Sequence, residues 1–191
     1  MAHVSIIGTG NMGPAIASVV TNGGNTVELF NQGDHDKPLT GEIVVLAVPY
    51  PALADVISRR GGELAGKIVV DITNPVNFET FDSLTVAADG SAATELAGAL
   101  PGSRVLKAFN TNFGATLASG KVGDLTTTVL IAGDDADAKA ELAGIIASGG
   151  LRAIDAGGLN RARELEALGF LQITLAAGEK IAWTGGFGVV A

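Results

Sequence analysis

A glycine-rich segment near the N-terminus constrains the fold more than any other part of the sequence. Residues 6–16 read IIGTGNMGPAI, in which Gly8, Gly10 and Gly13 have the spacing GxGxxG. The segment lies between a predicted strand and a predicted helix, which is the context in which this motif binds a dinucleotide. The first glycine permits a tight turn, the second lets the backbone approach a pyrophosphate, and the third lets the helix pack against the strand. We therefore predict a dinucleotide-binding βαβ unit, and the alternative is a tight turn that binds no ligand.

Short β-rich runs alternate with alanine-rich helical runs along the chain. Strands are predicted at residues 4–7, 26–30, 43–47, 67–72, 104–108, 127–132 and 152–155, and helices at 12–22, 52–61, 92–100 and 136–148. Alternation of this kind is typical of βαβ units. The predicted fold is α/β, with a Rossmann-type doubly wound, mostly parallel sheet. We expect residues 1–191 to form one domain, with a nucleotide-binding core over 1–157 and a C-terminal helix and tail over 158–191.

Composition disfavours several classes of protein and site. The chain has 191 residues, a formal net charge of -8 and a pI of about 4.6, which argues against a nucleic-acid partner because phosphate binding needs a basic surface. With no cysteine and two histidines, neither a metal site nor a Ser-His-Asp triad is expected. The N-terminus lacks the pattern of a signal peptide, and the longest apolar runs are too short to span a bilayer. The simplest expectation is a cytoplasmic protein without a membrane contact.

Two segments depart from the regular alternation. Residues 31–42 separate the second and third predicted strands and contain two glycines and a proline, so this crossover is predicted to be a loop or a single turn. A long helix is predicted over residues 160–180. Its apolar stripe consists of Leu165, Leu168, Leu171 and Leu175. A helix that is apolar most of the way round is buried, either inside the subunit or across a dimer interface.

The end of the second predicted strand lacks the carboxylate that usually binds the adenosine ribose of NAD. At this point of a dinucleotide-binding unit an Asp or Glu is common, whereas this chain has Asn31 and Gln32. A carboxylate would repel a 2′-phosphate, whereas the amides of Asn31 and Gln32, together with Lys37, could bind it. NADP(H) is therefore the expected cofactor and NAD(H) the less favoured one, provided that Asp34 and Asp36 turn outward.

Small or polar segments follow three further predicted strands. They are AVPYPAL at 47–53, DITNP at 71–75 and KAFNTNF at 107–113. In an open α/β sheet, ligands bind outside the carboxyl ends of the strands. We expect these segments to line the nicotinamide side of the crevice, with Ala47 among the cofactor contacts and Phe109, Asn110 and Thr111 beside the substrate. Each segment alone could be a loop rich in turn residues.

The remaining sequence favours simple hydride chemistry. The predicted Rossmann region extends to about residue 157, which leaves no room for the large helical substrate domain that many dehydrogenases carry. Hydride transfer to a carbonyl usually needs a proton donor, for which Lys107 is the one candidate left open. Transfer between a nicotinamide and a flavin-type ring needs mainly correct positioning. We favour the second reaction, with no catalytic side chain assigned. The alternatives are a non-catalytic NADP(H)-binding sensor, and a small-carbonyl or imine reductase whose pocket is completed by a dimer partner.

Several motifs occur in the order found in one known family. IIGTGNMG, VVLAVPYPAL, VVDITNP, VLKAFNT, VLIAGDD and DAGGLNRARELEALG resemble segments of NADP oxidoreductases that depend on the deazaflavin coenzyme F420. The chain is also similar to the cytosolic reductase domain of six-transmembrane metalloreductases and to compact bacterial dinucleotide-binding oxidoreductases. The resemblance implies a homodimer, formed through the C-terminal helix, that binds NADP(H) and a small-molecule hydride acceptor such as a flavin or deazaflavin. It implies dinucleotide contacts at Gly8, Thr9, Gly10, Asn11 and Met12, 2′-phosphate contacts at Asn31 and Gln32, and nicotinamide-side contacts at Val48, Pro49, Asn74 and Pro75.

Overall fold

The computed structural model describes residues 1–190, which contain nine strands. In chain order they are β1 (His3–Ile7), β2 (Thr26–Phe30), β3 (Ile43–Leu46), β4 (Ile68–Asp71), β5 (Arg104–Lys107), β6 (Lys121–Val122), β7 (Leu125–Thr126), β8 (Thr128–Gly133) and β9 (Arg152–Gly157). Seven of them form one sheet in the order β2-β1-β3-β4-β5-β8-β9, and β6 pairs with β7 in a separate hairpin. The strands β1 to β5 are parallel, whereas β8 pairs with β5 in the antiparallel direction. The predicted α/β, mostly parallel Rossmann-type sheet is confirmed.

Helices cover both faces of this sheet. They are α1 (Met12–Asn22), α2 (Leu53–Leu64), α3 (Ala92–Ala99), α4 (Gly114–Ser119), α5 (Ala136–Ser148) and α6 (Ala162–Ala177). Along β3, Ile43 and Val45 belong to the apolar cluster of α1 and α5, whereas Val44 and Leu46 belong to the cluster of α2 and α3. Successive side chains of a strand point to opposite faces, so a strand without polar residues is buried on both sides. The runs IVVL and IVV in β3 and β4 therefore lie at the centre of a three-layer structure.

The crossover from β2 to β3 contains no helix, as the sequence predicted. Residues 31–42 form turns, and side chains of the helix α2 hold them in place. The carboxylate of Glu63 accepts a hydrogen bond from the N–H of Leu39 (2.9 Å). The guanidinium of Arg60 donates hydrogen bonds to the backbone carbonyls of Asp34, His35 and Lys37. Because Arg60 is buried and these carbonyls have no strand partner, this side chain takes the place of the hydrogen bonds that a crossover helix would supply.

The long C-terminal helix is present, but only one leucine of the predicted stripe, Leu165, belongs to its buried face. The side of α6 that packs on the subunit consists of Ala162, Leu165, Glu166, Gly169, Gln172 and Ala176. Leu168 and Leu175 are half-buried and Leu171 is exposed, on the opposite side of the helix. Most of the predicted apolar stripe therefore faces away from the subunit. Among residues 1–190, none of the helices is both long and apolar enough to cross a bilayer.

Two short features were not predicted from the sequence. The helix α4 has six residues, and β6 and β7 have two residues each. Elements of this length are too short to show a hydrophobic period. The reversed direction of β8 and β9 was not predicted either, because alternating strands and helices do not by themselves fix the direction of the last strands.

Candidate functional site

The glycine turn lies at the point where the strand order reverses, between β1 and its two neighbours. The N–H of Gly8 donates to the carbonyl of Phe30 at the end of β2 (2.8 Å), and the N–H of Ala47 donates to the carbonyl of Ile7 (2.8 Å). Gly8 has φ of 120°, and a Cβ there would lie 2.0 Å from the carbonyl oxygen of Ala47. A Cβ on Gly13 would lie 2.0 Å from the oxygen of Gly8. Only glycine therefore permits this approach of the strand, the turn and the helix.

The start of α1 is suited to an anion. No side chain caps the first N–H groups of α1, and its first turn contains no acidic residue. A Cβ built on Gly10 would meet nothing within 4 Å, so open space lies in front of the backbone at that point. Unpaired N–H groups and the positive end of the helix dipole attract phosphate. These residues fit the pyrophosphate of a dinucleotide.

A cavity of about 310 Å³, called here the adenosine pocket, opens on one side of the turn. Its lining includes eight predicted cofactor residues, which are Gly8, Thr9, Gly10, Asn31, Gln32, Ala47, Val48 and Pro49. Ala47, Val48 and Pro49 were expected on the nicotinamide side, but they line this pocket together with Asn31 and Gln32 and not the larger cavity on the other side of the turn. It also includes five side chains that the sequence did not predict, which are Phe30, His35, Asp55, Arg59 and Arg60. The structure thus brings the carboxyl ends of β1, β2 and β3 together with one face of α2.

The charged side chains that line the adenosine pocket are Arg59, Arg60 and one carboxylate, Asp55. The Nε of Arg59 lies 2.7 Å from the Oδ1 of Asp55, and the two side chains are 54% and 61% exposed. Asp34 turns back and accepts a hydrogen bond from the N–H of Asn31 (2.8 Å), and it does not line the pocket. Lys37 is also absent from the lining, because its ammonium lies 4.4 Å from the centre of the Phe30 ring and 4.0 Å from Glu28.

A larger cavity of about 740 Å³, called here the acceptor cavity, opens on the other side of the turn. Four predicted residues line it, and they are Asn11, Met12, Asn74 and Asn110. The rest of its lining is mostly apolar or small, and it includes Ile72, Phe78, Asn112, Phe113, Ala115, Ile173 and Trp183. None of the described side chains that line the cavity is titratable. This wall can exclude water and hold a ring, but it offers no proton donor of its own.

Two asparagines join the carboxyl ends of β4 and β5 to α6 beside the acceptor cavity. The Nδ2 of Asn74 donates to the carbonyl of Asn110 (2.8 Å), and the Nδ2 of Asn110 donates to the Oδ1 of Asn74 (2.9 Å) and to the carbonyl of Leu165 (2.9 Å). The helix can approach this pair because residue 169 is glycine, where a Cβ would lie 2.4 Å from the Oδ1 of Asn74.

Three other predicted residues lie behind the cavity wall. Pro75 is buried, and its carbonyl accepts hydrogen bonds from the N–H and the hydroxyl of Thr85. Phe109 is buried with φ of 63°, and the carbonyl of Thr111 accepts from the side chain of Gln172 (3.2 Å). None of the three is among the residues that line the cavity. In this structure they support the wall from inside the subunit.

A buried ion cluster, formed by Lys107, Asp71 and Glu166, lies in the core. The Nζ of Lys107 is 2.9 Å from Asp71 and 2.8 Å from Glu166, and all three side chains are at most 1% exposed. Glu166 also accepts from the N–H groups of Ala92 (3.0 Å) and Ala93 (3.3 Å) at the start of α3. Burial raises the pKa of Glu166 above its usual value even though Lys107 acts in the opposite direction. Lys107, the one proton donor that the sequence left open, is therefore a core residue with no access to the acceptor cavity.

The sequence contains weak signals for some of the site and core residues that were not predicted from it. Arg59 and Arg60 are the only adjacent basic residues in an acidic chain. Asp71 and Lys107 end neighbouring apolar strands and are direct partners in the β4–β5 register. No local sequence pattern predicts that Phe78 and Trp183 line the cavity, because their positions depend on how the loop after β4 and the C-terminal tail fold back.

Comparison with known proteins places the chain in a family. The model of the family described as NADP oxidoreductase, coenzyme F420-dependent, matches residues 34–75. The chain is 32% identical over 158 residues to an F420-dependent NADP reductase of Methanocaldococcus jannaschii. This alignment covers 80% of the chain and 70% of the relative. The chain belongs to this family of F420-dependent NADP oxidoreductases. The predicted family and the predicted enzyme class are confirmed.

Two further matches differ in how much of the matching protein they cover. The metalloreductase STEAP3 of Rattus norvegicus is 37% identical over 106 residues, which are 56% of this chain and 20% of the relative. A crystal structure from Arthrobacter sp. FB24, provisionally named as an F420-dependent NADP reductase, matches with a TM-score of 0.87 and covers 100% of both chains. At 24% identity, the latter likeness supports the fold alone.

Proposed function

We propose that this protein is an oxidoreductase that transfers hydride between NADP(H) and a planar ring acceptor, a deazaflavin such as F420 or a flavin. The acceptor cavity supports this proposal most directly. It adjoins the glycine turn and is lined by apolar and amide side chains, without a titratable group among the described lining residues. Such a wall suits transfer between two stacked rings, which depends on distance and orientation more than on acid-base chemistry.

The chain's own groups bind and orient the cofactor. Gly10 and the first N–H groups of α1 hold the pyrophosphate, and the adenosine pocket holds the adenosine. Asn11 and Met12 lie between the pocket and the cavity, so the nicotinamide enters the acceptor cavity past them. When bound, the reduced nicotinamide supplies a hydride from C4, and the acceptor that takes it also takes one proton from solvent. The apolar wall keeps other water away from the two rings.

The adenosine pocket supports NADP(H) rather than NAD(H). Arg59 provides a cation, and Asn31 and Gln32 provide amides, at the end of β2 where a ribose-binding carboxylate would otherwise lie. The ion pair of Arg59 with Asp55 is exposed and worth less than about 1 kcal/mol. A dianionic phosphate competes well against such a pair, because a guanidinium can donate to it through two parallel hydrogen bonds.

One side of α6 is suited to contact with a second copy of the chain. Leu171 is exposed and Leu168 and Leu175 are half-buried along one side of α6, so this side leaves apolar area in contact with solvent. We propose that this face forms a homodimer. Light scattering on Leu171→Glu tests it: a dimeric wild type and a monomeric variant are expected, and a monomeric wild type would contradict the dimer.

An acceptor screen tests the proposed function. NADPH is mixed without oxygen with F420, with FMN or with a cyclic imine, and its near-ultraviolet absorbance is followed. Turnover with F420 or FMN is the expected result. Tight NADPH binding without turnover of any acceptor would instead indicate a sensor module. Turnover of the imine alone would indicate an imine reductase, although the burial of Lys107 removes the proton donor that such a reaction would need.

A further inference from the structure

Two large aromatic side chains are exposed at the acceptor cavity. Trp183 is 54% exposed and Phe78 is 58% exposed, and both line the cavity. They come from parts of the chain far apart in sequence, the tail after α6 and the loop after β4. Large exposed aromatic groups that converge on one cavity mark a binding surface, because each leaves apolar area in water.

Trp183 is held in place by contacts beneath it. The centre of its ring lies 5.0 Å from that of Phe113, with 52° between the planes. The tail is pinned by Gln172, a side chain that is 2% exposed. Its Nε2 donates to the carbonyl of Thr111 (3.2 Å), and its Oε1 accepts from the N–H of Phe187 (3.0 Å). The indole is therefore presented on an ordered support.

Phe78 is held by a short closed loop. An isolated antiparallel bridge joins Val76 to Leu84 at the base of the loop. The Oδ1 of Asn77 accepts from the N–H of Glu79 (3.0 Å), which fixes the turn that carries Phe78. The rings of Phe78 and Phe81 meet edge to face with centres 5.5 Å apart. Both aromatic side chains are thus positioned before any ligand arrives, which lowers the entropy cost of binding.

We infer that Trp183 and Phe78 bind the flat ring of the hydride acceptor by stacking in the acceptor cavity. This inference rests on the proposed function and deepens it. The cavity is shared with Asn11 and Met12 at the glycine turn, so a ring held by the two aromatics lies on the same side of the turn as the hydride donor. Its volume of about 740 Å³ lies in the range of cavities that enclose a drug-sized ligand. Aromatic stacking recognises the ring face, so both flavins and deazaflavins are accepted.

The single tryptophan of the chain allows a direct test. Oxidised F420 or FMN is titrated into wild-type protein saturated with NADP+, and the fluorescence of Trp183 is recorded. Quenching that saturates with the acceptor is expected, because a stacked ring lies in contact with the indole.

Calorimetric titration of variants with F420 and with FMN then measures how much each aromatic side chain contributes to the affinity for the acceptor. Trp183→Ala and Phe78→Ala should each weaken binding of the acceptor by about 3- to 10-fold, and Trp183→Phe should retain most of the affinity. The affinity for NADPH should not change in Phe78→Ala. Phe187→Ala is the matched control, because Phe187 is also an exposed aromatic of the tail but does not line the cavity.

The possible failures are distinguishable. If Trp183→Ala binds and reduces the acceptor as well as wild type, the inference is wrong and the proposed function stands. If the wild type neither binds nor reduces F420 or FMN, both the inference and the proposed function are wrong. If Trp183→Ala changes the mass of the protein in light scattering, the aromatics contact a second copy of the chain, and the inference is overturned as well.

Discussion

Two of the carboxylate-cation sites in the protein have similar chemistry and opposite burial. The buried ion cluster joins Lys107 to Asp71 and Glu166 with side chains at most 1% exposed, whereas Asp55 and Arg59 pair on the rim of the adenosine pocket and are more than half exposed. A buried charge cannot change partners without a large desolvation cost, whereas an exposed pair exchanges readily with water or a ligand. The comparison indicates that the first site maintains the fold in the core and that the second is available to bind a phosphate.

The largest effect is expected from Lys107→Met. The variant leaves Asp71 and Glu166 buried without their cation, so the free energy of unfolding should fall by about 3–5 kcal/mol. Urea unfolding measures this loss. Lys180→Met, an exposed lysine after α6, is the control and should change stability by less than about 0.5 kcal/mol. A loss below about 1 kcal/mol in Lys107→Met would show that the cluster does not hold the core.

A smaller loss in the free energy of unfolding is expected from Gly169→Ala. This substitution introduces a steric clash near α6 and removes no charge. The new Cβ would lie 2.4 Å from the Oδ1 of Asn74, so α6 must shift, at a cost of about 1–3 kcal/mol. Gly144→Ala in α5 is the matched helix control, since a Cβ there meets nothing within 4 Å. That variant should gain about 0.5–1 kcal/mol. Equal effects of both substitutions in urea unfolding would contradict the close approach of α6 to Asn74.

Loss of the exposed Asp55–Arg59 pair should change the affinity for NADPH and leave the stability of the fold unchanged. Arg59→Ala should weaken NADPH binding by about 10-fold, the equivalent of one lost charged hydrogen bond, and leave NADH binding unchanged. Calorimetric titration with both cofactors measures the difference. Arg163→Ala removes a similarly exposed arginine far from the pocket and should alter neither affinity. Parallel losses for NADPH and NADH would show that Arg59 does not contact the 2′-phosphate.

A neutral hydrogen-bond donor, the half-buried Tyr50, pairs with the exposed carboxylate of Glu95 and extends the comparison. The hydroxyl of Tyr50 donates to Glu95 (2.6 Å), and this hydrogen bond, with burial, raises the pKa of Tyr50 to about 12 from 10.0. Because the folded-state pKa is raised, the stability from this pair is fully present below pH 10 and is lost as the pH rises toward about 12.

Tyr50 is the only tyrosine, so the ultraviolet absorbance of tyrosinate reports its titration directly. Glu95→Gln should move the midpoint back toward the ordinary value. A wild-type midpoint near 10 would mean that the bond to Glu95 does not persist in solution.

The sequence predicted the parts of the site that depend on the backbone. The spacing of Gly8, Gly10 and Gly13 fixes a turn through local geometry, and the ends of β1 to β3 follow from apolar runs, so the backbone of the adenosine pocket was largely predicted. The side chains that reach a site from elsewhere were not predicted. Arg59 depends on the rotation of α2, and Trp183 depends on a tail pinned by Gln172 through a contact to Thr111.

The same distinction explains why the sequence left Lys107 open as a proton donor. Its place after a strand predicted a residue at the carboxyl edge of the sheet, and that is where it lies. The direction of its side chain was set by two carboxylates, Asp71 on the neighbouring strand and Glu166 on α6. The pairing with Glu166 spans 59 positions of sequence, and no local pattern encodes it.

The central claim is that hydride passes directly from NADPH to a ring in the acceptor cavity. It is tested by supplying NADPH that carries deuterium at both C4 positions together with oxidised F420 and measuring the mass of the reduced deazaflavin. The ring carbon that receives the hydride does not exchange with water, so a label that arrives there is retained. The account predicts that the reduced deazaflavin carries one deuterium. Reduced deazaflavin without deuterium, or no reduction at all, would contradict it.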